Sequence, residues 1–329
     1  MIEIDLAITK HSLKQLLINL GWISANTQIR HLEKPGEGNM NVVMRVQTDQ
    51  GSFILKQSRQ YVQKYPQIAA PIDRIAVEHQ FYQLVQETSC GAWLPKMIAF
   101  NSEHHLMQLE DLGVAKDYTG LYQQGSVLSP SDLTRSLHFL NQLHNLPFSG
   151  TQLRAFPDNL VLRKLNYEHL FVYPYLKENG LDLDTIIPGL QSIGNDYQSD
   201  TLLKKNILKL GAKYLGSGTN LLHGDYYPGS WLKSAKGFRV IDPEFCFFGP
   251  KEYDLGIMRA HLKMAQQPAQ AFTDFWEHYP ISGINLELVA KFEGMEILRR
   301  ILGLAQLPLT LSLEERSLLL RSAREQLNG

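Results

Sequence analysis

The chain carries Leu222-His223-Gly224-Asp225-Tyr226-Tyr227-Pro228-Gly229-Ser230-Trp231-Leu232, and then Val240-Ile241-Asp242-Pro243-Glu244. Asp225 and Asp242 stand 17 residues apart (242 − 225). Transfer of a phosphoryl group to a hydroxyl requires a carboxylate at the acceptor oxygen and oxygen ligands that hold Mg²⁺ on the phosphates of ATP. A loop offering Asp225, followed by Asp242 and Glu244 at the end of a short strand, supplies both. His-Gly-Asp alone is also what a turn after a strand shows, with the Asp capping the turn. The pairing with Ile-Asp-Pro-Glu at this interval points to chemistry.

Around this segment the pattern is helical. Three- and four-residue apolar spacing predicts helices at 133–146, 201–215, 286–304 and 313–327, interrupted by short strands at 221–225, 230–233 and 238–241. Upstream the character changes. After a first helix near 13–20, residues 28–57 alternate polar and apolar, and Asp49-Gln50-Gly51 separates strands at 42–46 and 52–56 as a hairpin turn. A helix over 73–85, with Pro71 near its start, and strands at 96–100 and 105–109 complete this part. The expected fold class is α+β, with a β-rich region at 1–112 and a mainly helical one at 113–329.

Residues suited to a nucleotide lie in the first region. Gly36-Glu37-Gly38-Asn39-Met40-Asn41 precedes a strand, where exposed backbone amides can fold over phosphates. By itself a Gly-x-Gly is only a turn signal. Lys56 ends the next strand, where an ammonium reaches the α and β phosphates, and Glu78 lies 22 residues on (78 − 56) in the predicted helix, placed to orient it.

These motifs resemble the aminoglycoside phosphotransferase and choline kinase superfamily, whose catalytic loop is His-Gly-Asp with Asn five residues later and a hydrophobic-Asp metal motif downstream. Within it the chain is most similar to the 5-methylthioribose kinases, which carry Ser in place of that Asn and Asp-Pro-Glu-Phe in the metal motif, as Ser230 and Asp242-Pro243-Glu244-Phe245 do here. Gly249-Pro250, Tyr253-Asp254-Leu255-Gly256, 298–305, the Gly-Glu-Gly-Asn stretch, Lys56-Gln57 and Asp73-Arg74 also look like that group.

The resemblance implies a two-lobed protein-kinase-like fold with ATP between the lobes, and an ATP- and Mg²⁺-dependent kinase acting on a small-molecule hydroxyl. Carried over position by position, Asp225 becomes the catalytic base or hydroxyl-orienting carboxylate. Asp242, Glu244 and Ser230 become metal ligands, with water able to intervene at the shorter Ser230 side chain. Gly36, Gly38, Asn39, Lys56, Glu78 and the hinge stretch 107–112 with Glu110 become the nucleotide site. Arg299 and Arg300, about 100° apart on a helix, hold the sugar or neutralise the transferred phosphate. His223 and Asp254 become supports for the loop.

Departures from the group bear on the acceptor. Methylthioribose kinases are usually longer and continue Leu-His-Thr-Gly-Ser after the Asp, where this chain has Tyr226-Tyr227-Pro228-Gly229-Ser230. Trp231, Tyr226 and Tyr227 are open to two readings: contacts to an apolar substituent such as a methylthio group, or core. An aminoglycoside, choline, ethanolamine, homoserine or ketosamine acceptor, and a nucleotide-binding pseudokinase, remain alternatives. A cationic acceptor calls for an acidic or aromatic cage, whereas Arg299-Arg300 suits a neutral sugar.

Composition narrows the field. Lys plus Arg (32) against Asp plus Glu (33) leaves a net charge of −1, without the basic excess expected for nucleic-acid binding. No run of 18 apolar residues suggests a membrane span, and Met1-Ile2-Glu3-Ile4-Asp5 has acids where a signal peptide has Lys or Arg. Cys90 and Cys246 lack metal or disulfide spacing and read as reduced thiols. The expected location is cytoplasmic, and the resemblance is compatible with a homodimer. With 44% apolar and 20% charged residues over 329 positions, the chain has material for about two domains.

Overall fold

The computed structural model describes residues 2–36 and 40–329. It divides into two compact units: 1–115 with 234–244, and 116–233 with 245–329. A single cut between 112 and 113 does not anticipate the return of 234–244 to the first unit. That return has a packing reason, because Phe238 meets Trp93 edge to face at 6.4 Å between ring centroids and Lys236 pairs with Glu110.

The first unit begins with helix α1 (Lys10–Asn19), capped by the Thr9 side chain accepting from the Ser12 N–H. There follow β1 (Ile29–Glu33), β2 (Val42–Thr48), β3 (Gly51–Gln57), the small β4 (Tyr61–Val62) and β5 (Tyr65–Ala69) hairpin, α2 (Arg74–Val85), β6 (Met97–Asn101) and β7 (Leu106–Glu110). Five strands form an antiparallel sheet in the order β1-β2-β3-β7-β6. The 49–51 turn does close β2 onto β3, with Thr48 opposite Gly51 and Val43 opposite Lys56.

Strand alternation decides what each face does. Met44 and Val46 of β2 with Phe53 and Leu55 of β3 pack onto Leu13, Leu16 and Leu17 of α1 as one buried core. Lys56, one residue on, is thereby turned to the opposite face and is itself buried. On α2 the buried residues Arg74, Ile75, Glu78, Phe81, Tyr82 and Val85 recur at helical spacing. Arg74 and Glu78 therefore project from one side, a turn apart.

The chain passes between units at β8 (Ala115–Asp117), at the end of β10 (Trp231–Ser234) and again after Glu244. The second unit is mostly helical: α3 (Pro130–His144), α4 (Gly150–Ala155), α5 (Leu160–Tyr167), α6 (Leu190–Ser199), α7 (Thr201–Leu215), α8 (Glu252–Met264), α9 (Ala269–His278), α10 (Leu286–Leu302) and α11 (Leu313–Asn328). The first unit's second segment carries β11 (Gly237–Val240). Two short strands, β9 (Asn220–Leu222) and β12 (Phe247–Gly249), pair antiparallel and hold the His223-Gly224-Asp225 loop at their end. The strand expected to reach Asp225 stops at Leu222 because Gly224 turns left-handed, with φ +85.

Helix α10 is the axis of this unit. Every residue from Phe292 to Leu302 is buried, including Glu293, Glu296, Arg299 and Arg300. Close approach lets α8 and α11 cover it. A Cβ on Gly256 would fall 2.6 Å from the Phe292 Cβ, and one on Gly294 would fall 2.9 Å from the Ala323 carbonyl oxygen. Four charged side chains inside a packed helix demand partners, since an unpaired buried charge costs several kcal/mol. Among the described residues, no helix is long and apolar enough to cross a membrane.

Candidate active site

In the first unit, Lys56 lies between carboxylates. Its Nζ is 2.8 Å from Glu78 Oε1 and 2.6 Å from Asp242 Oδ1. Glu244 stands alongside, accepting from Asn41 Nδ2 at 2.9 Å and lying 3.3 Å from the Arg74 guanidinium. Arg74 is buried and donates to the carbonyls of Met40, Arg59 and Pro71 as well as to Asn41 Oδ1. It ties the residues before β2, the end of β3 and the start of α2 to one point.

Two cations, Lys56 and Arg74, thus face three carboxylates, Glu78, Asp242 and Glu244. Burial works against the charge of Lys56, yet Asp242, Glu78 and Glu244 outweigh it and hold the ammonium well above its ordinary range. Burial, with the neighbouring carboxylates, pushes Glu78 up to about 7 and Glu244 upward, Lys56 offsetting only part of this. Asp242 is the half-exposed member, its side chain 47% accessible, on a backbone with φ +61. A left-handed non-glycine residue at such a place is strain held by its surroundings.

In the second unit the 223–225 loop is fixed from below by Asp254, buried in the first turn of α8. Its carboxylate accepts the backbone N–H of His223 at 2.7 Å and of Gly224 at 3.0 Å, and meets His144 Nε2 at 3.1 Å. A Cβ on Gly224 would fall 2.1 Å from the Phe245 carbonyl oxygen, so only glycine fits there. The His223 ring is fully buried edge-on to Tyr226, with Nδ1 3.4 Å from the Asp225 N–H. The Ser230 hydroxyl donates to the Asp225 carbonyl at 2.8 Å, closing the loop on itself. Its lone pairs stay available to another partner.

Over the Asp225 carboxylate stand both arginines predicted for the acceptor. Arg299 Nη2 and Arg300 Nη2 lie 3.7 and 3.6 Å from the same oxygen, Asp225 Oδ1. Behind them, Glu296 accepts from Arg299 Nε and Arg300 Nε at 2.7 Å each. Burial pushes the Glu296 carboxyl upward, but the two guanidiniums, with His261, outweigh it and hold the group well below its usual range. Arg300 also lies over the Tyr227 ring, 4.9 Å from its centroid.

The structure therefore brings together Lys56, Glu78, Asp242 and Glu244 in one unit, and Asp225, Arg299, Arg300, His223, Asp254 and Ser230 in the other. Gly38 and Asn39 lie outside the described residues, and Gly36 is exposed. Glu110, at the end of β7, donates its N–H to the Lys96 carbonyl at 2.8 Å and pairs its carboxylate with Lys236. Tyr226 and Trp231 are fully buried, the first stacked on Phe139 at 5.7 Å and the second against Tyr118 at 6.1 Å, so both belong to the core. Sequence reasoning missed Glu296, His261, Tyr122 and His144. A signal existed for Glu296 alone, which lies three and four residues before the two arginines.

Residues 31–280 match the phosphotransferase enzyme family. The chain belongs to that family. This phosphotransferase is 26% identical over 316 residues to the methylthioribose kinase of Exiguobacterium sibiricum, covering 83% of this chain and 79% of that protein. It is 24% identical over 247 residues to methylthioribose kinase 1 of Oryza sativa, spanning 71% of this chain and 56% of the rice protein. Among solved structures it is similar to a spectinomycin phosphotransferase in complex with ADP and spectinomycin, with a TM-score of 0.58 at 13% identity over 98% of both chains. It is also similar to choline kinase LicA from Streptococcus pneumoniae, with a TM-score of 0.54 at 14% identity over 96% of this chain and 98% of that one. The fold is accordingly the protein-kinase-like one, and the enzyme is an ATP-dependent phosphotransferase with a hydroxyl acceptor.

Proposed function

We propose that the enzyme phosphorylates a neutral sugar hydroxyl of the 5-methylthioribose type. The observation that carries this reading is the convergence of Arg299 and Arg300 on Asp225 Oδ1. Two guanidiniums beside the acceptor carboxylate repel an amino sugar or a choline headgroup and donate to sugar hydroxyls or phosphoryl oxygens. The methylthioribose kinases among the relatives support the same substrate class.

Lys56, oriented by Glu78, contacts the α and β phosphates in this reading, and Asp225 aligns the acceptor hydroxyl and takes its proton. Arg299 and Arg300 offset charge on the phosphoryl group in flight. Catalysis is then placement and charge neutralisation.

The donor set around Lys56 fits Mg²⁺. The crowding of Glu78, Asp242 and Glu244 raises the first and the last, a divalent ion beside them would relieve it, and Asp242 has an exposed oxygen-bearing face. No group of three or more His, Cys, Asp or Glu able to hold a metal occurs among the described residues. Mg²⁺ does not require one, because it takes one or two carboxylates and completes its shell with nucleotide oxygens and water. Asp242 would hold it, with Glu244, steadied by Asn41 and Arg74, as the second carboxylate. When bound, the ion would neutralise phosphate charge.

ADP release measured with 5-methylthioribose, neutral pentoses, amino sugars, choline and homoserine tests the proposal, with Asp225→Asn as the blank. Turnover confined to methylthioribose is expected. Faster turnover with a cationic acceptor overturns the substrate, and nucleotide binding without transfer to any acceptor favours a pseudokinase.

A further inference from the structure

We propose that Glu296 is a positioning residue for the acceptor site, acting through Arg299 and Arg300 and itself oriented by His261 and Tyr122. The proposal rests on the assignment of the Asp225 loop to the acceptor and deepens it. Glu296, Arg299 and Arg300 occupy positions i, i+3 and i+4 of α10, so their side chains rise from one face of the helix. Each carboxylate oxygen of Glu296 captures one Nε–H, Oε2 that of Arg299 and Oε1 that of Arg300, both at 2.7 Å. A guanidinium held at Nε has lost its freedom to swing. Its Nη2 end is what remains, and in both arginines that end is the one near Asp225.

The carboxylate is held in its turn. His261 Nε2 lies 3.0 Å from Glu296 Oε1, and His261 Nδ1 lies 2.6 Å from the Tyr122 hydroxyl. All three side chains are buried. An ionised carboxylate only accepts, so Nε2 carries the proton and donates to Glu296. Nδ1 of the neutral ring is then the acceptor, and Tyr122 donates to it. The order Tyr122 to His261 to Glu296 has one direction and one tautomer.

Charge gives the arrangement a catalytic consequence. Glu296 cancels one of the two guanidinium charges, leaving about one positive charge to act on Asp225 and on the incoming group. Glu296→Gln leaves both, and it places an amide N–H₂ against one of the two arginine donors. The pair then loses its common aim and over-stabilises the Asp225 carboxylate, weakening it as a base. A residue serving only as packing would change stability and leave the kinetic constants of the folded enzyme alone.

The test uses whichever acceptor the wild-type enzyme phosphorylates, so a wrong sugar overturns the substrate reading and leaves this experiment intact. Glu296→Gln is expected to lower kcat at least tenfold and raise KM for the acceptor at least tenfold, with KM for ATP within twofold of wild type. Glu296→Asp, which restores the charge one methylene short, should recover part of the loss. Tyr122→Phe removes only the donor to Nδ1 and should cost three- to tenfold in kcat/KM for the acceptor. Wild-type constants for folded Glu296→Gln overturn the proposal, as does Glu296→Asp performing no better than Glu296→Gln. Should Glu296→Gln fail to fold, Tyr122→Phe decides, and unchanged acceptor constants there overturn it.

Discussion

Asp225 Oδ1 lies 3.6 Å from Arg300 Nη2, within the range of an ion pair but beyond the length of a hydrogen bond. Arg299 approaches the same oxygen at 3.7 Å. Asp225 is thereby surrounded by positive charge without being locked by it, and its side chain remains 29% accessible. Removing it should act on the chemical step. Asp225→Ala is expected to lower kcat by about 10²–10⁴-fold while KM for ATP stays within twofold. Steady-state kinetics at saturating acceptor measure this, and near-normal kcat would refute the assignment.

The metal assignment predicts a different pattern. Asp242→Ala should remove the Mg²⁺ dependence of nucleotide binding. Titration calorimetry of ADP with and without Mg²⁺ should show the two isotherms converging in the variant while they differ in the wild type. If the difference survives unchanged, Mg²⁺ is held elsewhere.

Asp254 joins three donors in a dry environment, the N–H groups of His223 and Gly224 and the His144 imidazole. Asp254→Asn presents an amide N–H₂ to at least one of these donors and leaves it unsatisfied. The expected loss is about 2–4 kcal/mol of stability, read as a lower midpoint in denaturant with an unchanged slope. A midpoint equal to wild type would show that the loop does not depend on this carboxylate.

His261 supplies the pH prediction. Burial lowers its pKa from the ordinary 6.5 to about 4, and Glu296 offsets burial only in part, with Arg300 and Arg299 adding to the lowering. Its hydroxyl partner Tyr122 is pushed up and stays neutral throughout. The unfolded chain binds the His261 proton first as pH falls, so the stabilisation is full above pH 6.5 and is lost progressively down to about pH 4. At about 1.4 kcal/mol per tenfold the gap is worth roughly 3 kcal/mol. Denaturant midpoints for wild type and His261→Gln, compared between pH 7 and 4, should show the wild type falling more steeply. Parallel curves would contradict the depressed pKa.

Local chemistry made parts of this molecule legible in advance. The 49–51 turn, the strand-end Lys56 and the helix bearing Glu78 each rest on short-range patterns, while the face that Lys56 takes relative to the core emerges only from the packing of β3 on α1. Asp225 and Asp242 stood out because phosphoryl transfer restricts which residue types serve it, and the roles given to them are those proposed above. Glu296, His261 and Tyr122 did not, because a buried hydrogen-bonded chain joins residues 139 and 35 positions apart and leaves no periodic trace. Arg74 was visible only as half of a dipeptide. Its role as the tie among three stretches of the first unit depends on backbone carbonyls, which are the same for every sequence. Tyr226 and Trp231 show the converse, since aromatic residues beside a catalytic loop suit a ligand and a core equally, and packing decides.

On the proposed placement of the acceptor beside Arg299 and Arg300, the burial of α10 sets a rule for how this enzyme can change its substrate. Replacing Arg299 or Arg300 alone leaves Glu296 charged and short of a donor inside the protein, and replacing Glu296 alone takes from two buried guanidiniums the carboxylate they share. The three positions must mutate together, or nearly so, and single-step evolution or shallow mutagenesis libraries will seldom cross that valley. Tyr227 lies against this group through its ring, 4.9 Å from the Arg300 guanidinium and 5.1 Å from the His261 ring, and it is not one of the three buried charges that must balance. New substrate preferences should therefore arise first at Tyr227, in the loop, while the helix stays as it is.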